Sequence, residues 1–442
     1  MYKITKTTIF LILIFVSLLT AATWNYQSIW TGTGILRRVA IGNKIKGPTD
    51  DTFRIFTVQS SGTKLVLLFT DTSSTLPMMW RVDTVDTGAF FGCGIGDVDR
   101  DGDNDLVYAR ATSPYYVARS YWDPSTSTWL HENIVTLAGT APNWGMDIGD
   151  ANNDGYADDI IYSAGNTTNS KVYWAFWDGH AWINTVIWNG DGRTTMGVAI
   201  GNFDSANGDS NEVVAVTNGT SGGPGGRVMR LRLTPSGWDT LTLWMQGTTS
   251  GTISLSGVAI GDFDSHNPGK EIVTTNALTS GGSINGSVFE VYGSGTNWSC
   301  RTLYSADISY WAVAVGDVLN TNPGEEIVFS DNASSGIVHI LWGAGDEWYN
   351  ESIFNMGGGS SFGAAIGDVN RHRSFNQEIV VNGNSSVFEA EQTYHDVGPV
   401  EIIQPVGNID SVATITPIAK VKNFGWQQDE FYVRFSITGP DK

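Results

Sequence analysis

The apolar positions of this chain recur in two patterns, and neither has a helical period. One is a short, nearly continuous β-branched run, as in EVVAV (212–216), EIVTT (271–275), EIVFS (326–330) and EIVVN (378–382). Runs of this length between polar turns predict strands buried on both faces. The other pattern alternates apolar with polar residues, as in KVYWAFW (171–177) and WINTVIW (182–188). Alternation predicts strands with one face in solvent. Gly-, Ser- and Asn-rich segments separate the runs, as tight turns require.

The order of these runs repeats. Each unit opens on a small-residue core that ends in Gly followed by Asp or Asn: RVAIGN (38–43), GCGIGD (92–97), GMDIGD (145–150), GVAIGN (197–202), GVAIGD (257–262), AVAVGD (312–317) and GAAIGD (363–368). The closing glycines fall at 42, 96, 149, 201, 261, 316 and 367, with spacings of 54, 53, 52, 60, 55 and 51. Four short strands per unit at that period predict propeller blades. Tryptophans count the units a second time, because Trp24, Trp80, Trp129, Trp182, Trp238, Trp298 and Trp348 each open a fourth strand. The last unit, 363–392, supplies only three strands, so the stretch 24–30 is expected to complete it and leave no free edge. The predicted fold is all-β: a seven-bladed β-propeller over 23–396, closed by an N-terminal strand. The segment 397–442 follows as a partial immunoglobulin-like module, with three strands where a full sandwich needs about seven. Aromatic residues just before the cores, Phe91, Trp144 and Phe362, are expected to wedge between blades.

Composition narrows the setting. Charged residues are only 16% of the 442, yet the formal net charge is −20, which excludes the basic footprint of a nucleic-acid partner. Lys3 and Lys6 precede the apolar stretch Ile9–Leu19, and Thr20-Ala21-Ala22 offers small residues for cleavage. Residues 1–22 therefore read as an export signal, leaving no membrane span after cleavage and a protein that is secreted or held at the cell surface. Cys93 and Cys300 lie too far apart in sequence to form a disulfide framework, and two buried thiols are expected.

The acidity is not spread evenly. In GDVDRDGDNDLVYA (96–109), Asp97, Asp99, Asp101, Asp103 and Asp105 alternate, with Gly102 among them. Such crowding costs repulsion unless a cation offsets it. A hard ion such as Ca²⁺ takes six to eight oxygens, delivered from alternate positions of a loop that turns sharply at glycine. The next unit repeats the set with Asp150, Asn152, Asp154, Gly155 and Asp158, and Tyr156 would give a backbone carbonyl where Asp103 stands. Neither loop is a helical EF-hand, because Tyr108 and Ile161 occupy the position where that motif carries an acid. The other units decay. Asp262 and Asp264 remain in the fifth, with Glu271 available and His266 in place of the third ligand, and Asn202, Asp204 and Asn207 remain in the fourth. Asp317 and Asp368 are the remnants further on, and the first unit, NKIKGPTDD, has lost the pattern.

Phe91-Gly92 with Gly96-Asp97 and the Asp/Gly loop, recurring over about residues 24–392, resembles the FG-GAP/VCBS repeat, the propeller repeat of integrin α-chain heads. The resemblance implies calcium between the first and second strands of a blade on one face. It further implies ligand recognition on the opposite face, through loops such as 110–116 with Tyr115 and Tyr116, 218–226, 246–256, 276–286, and 305–311 with Tyr310 and Trp311. None of these forms a recognisable ligand motif.

The resulting expectation is an extracellular calcium-binding scaffold for adhesion or for a protein or glycan ligand. An extracellular polysaccharide-cleaving lyase or hydrolase on the same scaffold is the alternative, and a purely structural repeat the third. The histidines at 131, 180, 266, 339, 372 and 395 have no zinc spacing, and no nucleophile elbow is present. Glu212, Glu271, Glu326 and Glu378 recur once per unit, which assigns them to structure, not catalysis.

Overall fold

The computed structural model describes residues 23–423, except 62–63, 71–79, 166–169, 191, 220–224, 247–252, 268, 279–285, 320–321, 323, 333–334, 370–376, 394–396 and 405–417. The expected export signal lies outside the described residues.

Seven four-stranded antiparallel sheets follow one another along the chain. Blades 1 to 6 span 36–86, 90–137, 142–188, 195–245, 253–306 and 310–355, each with its strands in sequence order. Blade 7 takes three strands from 361–393, and Thr23–Thr31 pairs beside Ser386–Thr393 as the fourth. Gln27 Nε2 donates to Glu389 Oε2 across that seam at 2.8 Å. The seven-bladed propeller with an N-terminal closing strand is therefore the fold. One 3₁₀ turn, Ser205–Asn207, is the sole helical element among the described residues. None of their helices is long and apolar enough to cross a membrane.

The two apolar patterns settle in two layers. Second strands such as Glu212–Thr217 and Glu378–Gly383 are buried along their whole length. Fourth strands such as Trp182–Trp188 are largely exposed. Inner strands of neighbouring blades touch all round the ring, including first against last. Their closing glycines are needed for this approach. A Cβ on Gly96 would lie 2.6 Å from Ile148 Cγ2 in the next blade, and one on Gly367 would lie 2.9 Å from Ile41 Cγ2 across the closure. No side chain fits there without a shift, which explains the glycine once per unit.

The repeated tryptophans join blades at their outer edges. Trp238 stacks edge-on against Trp174, Trp298 against Phe203 and Trp348 against Phe263, each in the preceding blade, with ring centroids 5.6–6.2 Å apart. Near the start of the inner strands, Phe91 and Phe362 meet the Arg37 guanidinium of blade 1, at 5.9 and 4.3 Å from the ring centroids. These aromatics thus link blades through a cation. The fully buried wedge is Phe90, edge-on to Tyr108 at 4.9 Å.

Two expectations are corrected. Cys93 is buried but Cys300 is only half-buried, because it lies on a fourth strand, Asn297–Ala306, that faces solvent. Both thiols are free. Tyr310 is not a loop residue but the fully buried start of the inner strand of blade 6, packed against Phe329 and His339.

The blades occupy a compact unit over Tyr26–Glu391. Of the expected immunoglobulin-like segment, two strands are described, Val397–Gln404 and Ile418–Asn423, paired antiparallel as a hairpin in a second unit.

Candidate metal site

The inner strand of blade 2, Phe90–Gly96, runs into the acid loop, and the second strand, Asp105–Arg110, leaves it. The loop is folded by its own carboxylates. Asp97 accepts the N–H groups of Asp101 and Gly102 at 3.0 and 3.1 Å, and Asp101 accepts that of Asp103 at 3.1 Å. Gly102, at φ 99°, and Arg100, at φ 62°, make the left-handed bends. Bends of this kind swing alternate side chains inward. Asp97, Asp99 and Asp101 each bring an oxygen within 4.8 Å of the others, the one such acidic group of three among the described residues.

The next blade repeats these bonds and adds one. Asp150 accepts from Asp154 and Gly155 N–H at 3.0 Å, and Asn152 from Asp154 N–H at 2.8 Å. Asn153 and Gly155 take the same left-handed bends, at φ 62° and 92°. Register, however, shifts the ends of the two loops. Gly96 faces Asp105 and Gly149 faces Asp159, so Asp105 corresponds to Asp159 and not to Asp158. Sequence spacing could not show this, because the second loop is one residue longer.

That strand-start position explains the recurrent glutamates. Glu326 Oε2 accepts the N–H groups of Val318 and Leu319 at 2.8 and 2.9 Å, and Glu212 and Glu271 hold Phe203–Asp204 and Phe263–Asp264 in the same way. Asp159 does so for Ala151 and Asn152. These acids pin the loops. Blade 1 carries Arg54 at this position, and it pairs with Asp50 of its loop, so a side-chain ion pair stands where the acids of the other blades accept backbone N–H groups.

Blade 2 departs from this use. Asp105 is buried and bonds Arg119 at 3.1 Å, and Arg119 also contacts Asp99 and Glu132. One oxygen each of Asp99 and Asp105 is buried with no hydrogen-bond partner. Burial first, and the neighbouring carboxylates after it, push Asp103 up to about 7; burial likewise pushes Asp105 up to about 8. Burial raises Asp97 as well. A single guanidinium faces this group of acids. Orphaned carboxylate oxygens beside mutually repelling acids fit a hard divalent cation, which would take those oxygens and offset the charge.

The loops of blades 3, 4 and 5 likewise hold arginine among their acids. Arg100 reaches from the blade 2 loop to Asp154 and, through Nε at 2.6 Å, to Asp158 of blade 3, with Tyr156 4.2 Å beneath its guanidinium. Burial alone would raise Asp154, but the bond from Arg100 outweighs it and holds this carboxyl below the usual range. Burial raises Asp158. In blade 4, Asp204 is bound by Arg230; in blade 5, fully buried Asp264 is bound by Arg301 and accepts the Gly345 N–H at 2.9 Å. Asp262 is exposed, and its carboxylate does not join Asp264 in an acidic cluster. Arg119, Arg230 and Arg301 were not singled out in the sequence, since each sits on a third or fourth strand far from its loop.

A scan against models of protein families gives no match, and a search of curated proteins gives none either.

Proposed function

We propose that this chain is a calcium-binding β-propeller that works outside the cell as a scaffold for a protein or glycan ligand. The observation that carries the metal is the convergence of Asp97, Asp99 and Asp101, with one buried oxygen of Asp99 left without a hydrogen-bond partner. The resemblance of the repeat to FG-GAP/VCBS units supports calcium as the ion, and the composition of residues 1–22 supports export. The propeller supports the scaffold role, since its loops present side chains from many segments at the two ends of a rigid ring.

Calorimetric titration of the full chain with CaCl₂ tests the metal. Saturable heat is expected, lost from the blade 2 site in Asp99→Asn with Asp101→Asn, and weak with MgCl₂. At a free calcium concentration a hundredfold above Kd, the ion should stabilise the fold by about 2.7 kcal/mol. No heat, together with a melting temperature that chelator leaves unchanged, would remove calcium from this reading.

A further inference from the structure

The end of the propeller away from the acid loops holds a cavity of about 310 Å³ between blades 2 and 3. It is lined by Tyr115, Gly139, Thr140, Ala141, Gly165, Lys171 and Tyr173. Four short stretches of chain build it, Gly165 being one of them. Tyr115 opens the third strand of blade 2 (Tyr115–Asp123), Lys171 and Tyr173 open that of blade 3 (Lys171–Trp177), and residues 139–141 connect the two blades. Gly165 N–H donates to Ala141 O at 3.0 Å and ties one wall to another. Tyr173 is held in place by stacking on Tyr162, with centroids 5.1 Å apart and planes at 7°. Tyr116, its neighbour Tyr115's pair in sequence, turns to Arg110 instead, accepting from Nη1 at 3.0 Å.

Lys171 is the one charged residue of the lining, and no described carboxylate lies within ion-pair distance of it. The crowded carboxylates all sit at the other end of the blades.

We propose that this cavity binds a saccharide residue bearing a carboxylate. The volume is at the lower limit of small-molecule sites and suits one sugar ring. The lining is mainly polar, and the tyrosine hydroxyls, with Thr140 and the nearby backbone, offer partners for the hydroxyls of a pyranose. The Lys171 ammonium supplies a charge-assisted bond to the carboxylate, which a neutral sugar cannot form. This inference rests on the reading of the propeller as a ligand-binding scaffold and names its ligand class.

The test is calorimetric or saturation-transfer titration of the full chain, in calcium, with D-glucuronate and with D-glucose, which differ only at C6. Saturable glucuronate binding is expected, with glucose about tenfold weaker, the worth of one charge-assisted bond. Lys171→Gln should lower glucuronate affinity about tenfold and leave glucose unchanged, Lys171→Arg should restore it, and Tyr115→Ala should weaken both sugars. Equal binding of the two sugars, or no saturable binding of either, overturns the proposal. Glucuronate binding that survives Lys171→Gln also overturns this cavity as the site, while leaving the scaffold reading intact.

Discussion

Blades 2 and 5 start from the same loop grammar, and each sets one arginine against its acids, but to different degrees of completeness. In blade 5, Asp264 and Glu290 are wholly buried, and Arg301 binds both, so the loop carries its own cation. In blade 2, Arg119 faces Asp99, Asp105 and Glu132 together, and two buried oxygens stay without partners. The comparison teaches that an acid loop can lose part of its ligand pattern and keep its fold. In blade 5 a guanidinium from a neighbouring strand holds the buried acids while Glu271 pins the backbone, whereas in blade 2 the strand-start acid Asp105 turns to Arg119 instead.

The sharpest way to break this comparison is Arg301→Ala. It leaves Asp264 and Glu290 buried without their cation and should destabilise the propeller by about 3–5 kcal/mol in denaturant unfolding. Adding Asp264→Asn should return part of that loss, because the two sites are directly coupled. If Arg301→Ala were nearly neutral, blade 5 would not be self-neutralised.

A smaller effect separates pinning from charge. Burial pushes Glu326 from 4.5 up to about 7. The folded chain therefore holds this proton more tightly than the unfolded one. The resulting stability is present below pH 4.5 and is lost as pH rises through 7. Glu326→Gln keeps an oxygen for the Val318 and Leu319 N–H groups and should flatten that part of the profile, raising Tm by about 1–3 °C at pH 8. Thermal melts of both proteins from pH 4 to 8 check this, and parallel profiles would remove Glu326 as the source.

The smallest effect expected is at Arg100, which is partly exposed where it crosses to Asp154 and Asp158. Arg100→Gln should cost about 0.5 kcal/mol or less in unfolding. A loss of several kcal/mol would place Arg100 with Arg301 as an internal counter-ion.

How much of this was legible in the sequence depends on distance along the chain. The blades were legible because each carries its own period, its closing glycine and its tryptophan, and seven copies average out local decay. The N-terminal strand was legible by subtraction, since 363–392 lacked a fourth strand. Asp97, Asp99 and Asp101 were legible as a group because a single tight loop brings them together. Their counter-ions were not. Arg119, Arg230 and Arg301 reach the loops across strands whose register no local pattern reveals. The correspondence of Asp105 in blade 2 to Asp159 in blade 3 was hidden by one inserted residue. The cavity around Tyr115, Lys171 and Tyr173 was hidden for the same reason, because four stretches each contribute one to three ordinary residues.

The strand Thr23–Thr31 that completes blade 7 has a consequence for how the protein is made. It is synthesised before every other strand of the ring, yet Glu389, which Gln27 bonds, comes 362 residues later. Bringing two points so far apart together costs about 5 kcal/mol of chain entropy. Neighbouring inner strands are separated by little more than fifty residues, so their contacts can form while synthesis continues. Only the last one must wait for the whole ring. Maturation of this protein is thereby tied to a single long-range event, and until it occurs the nascent chain carries an unpaired strand at each end.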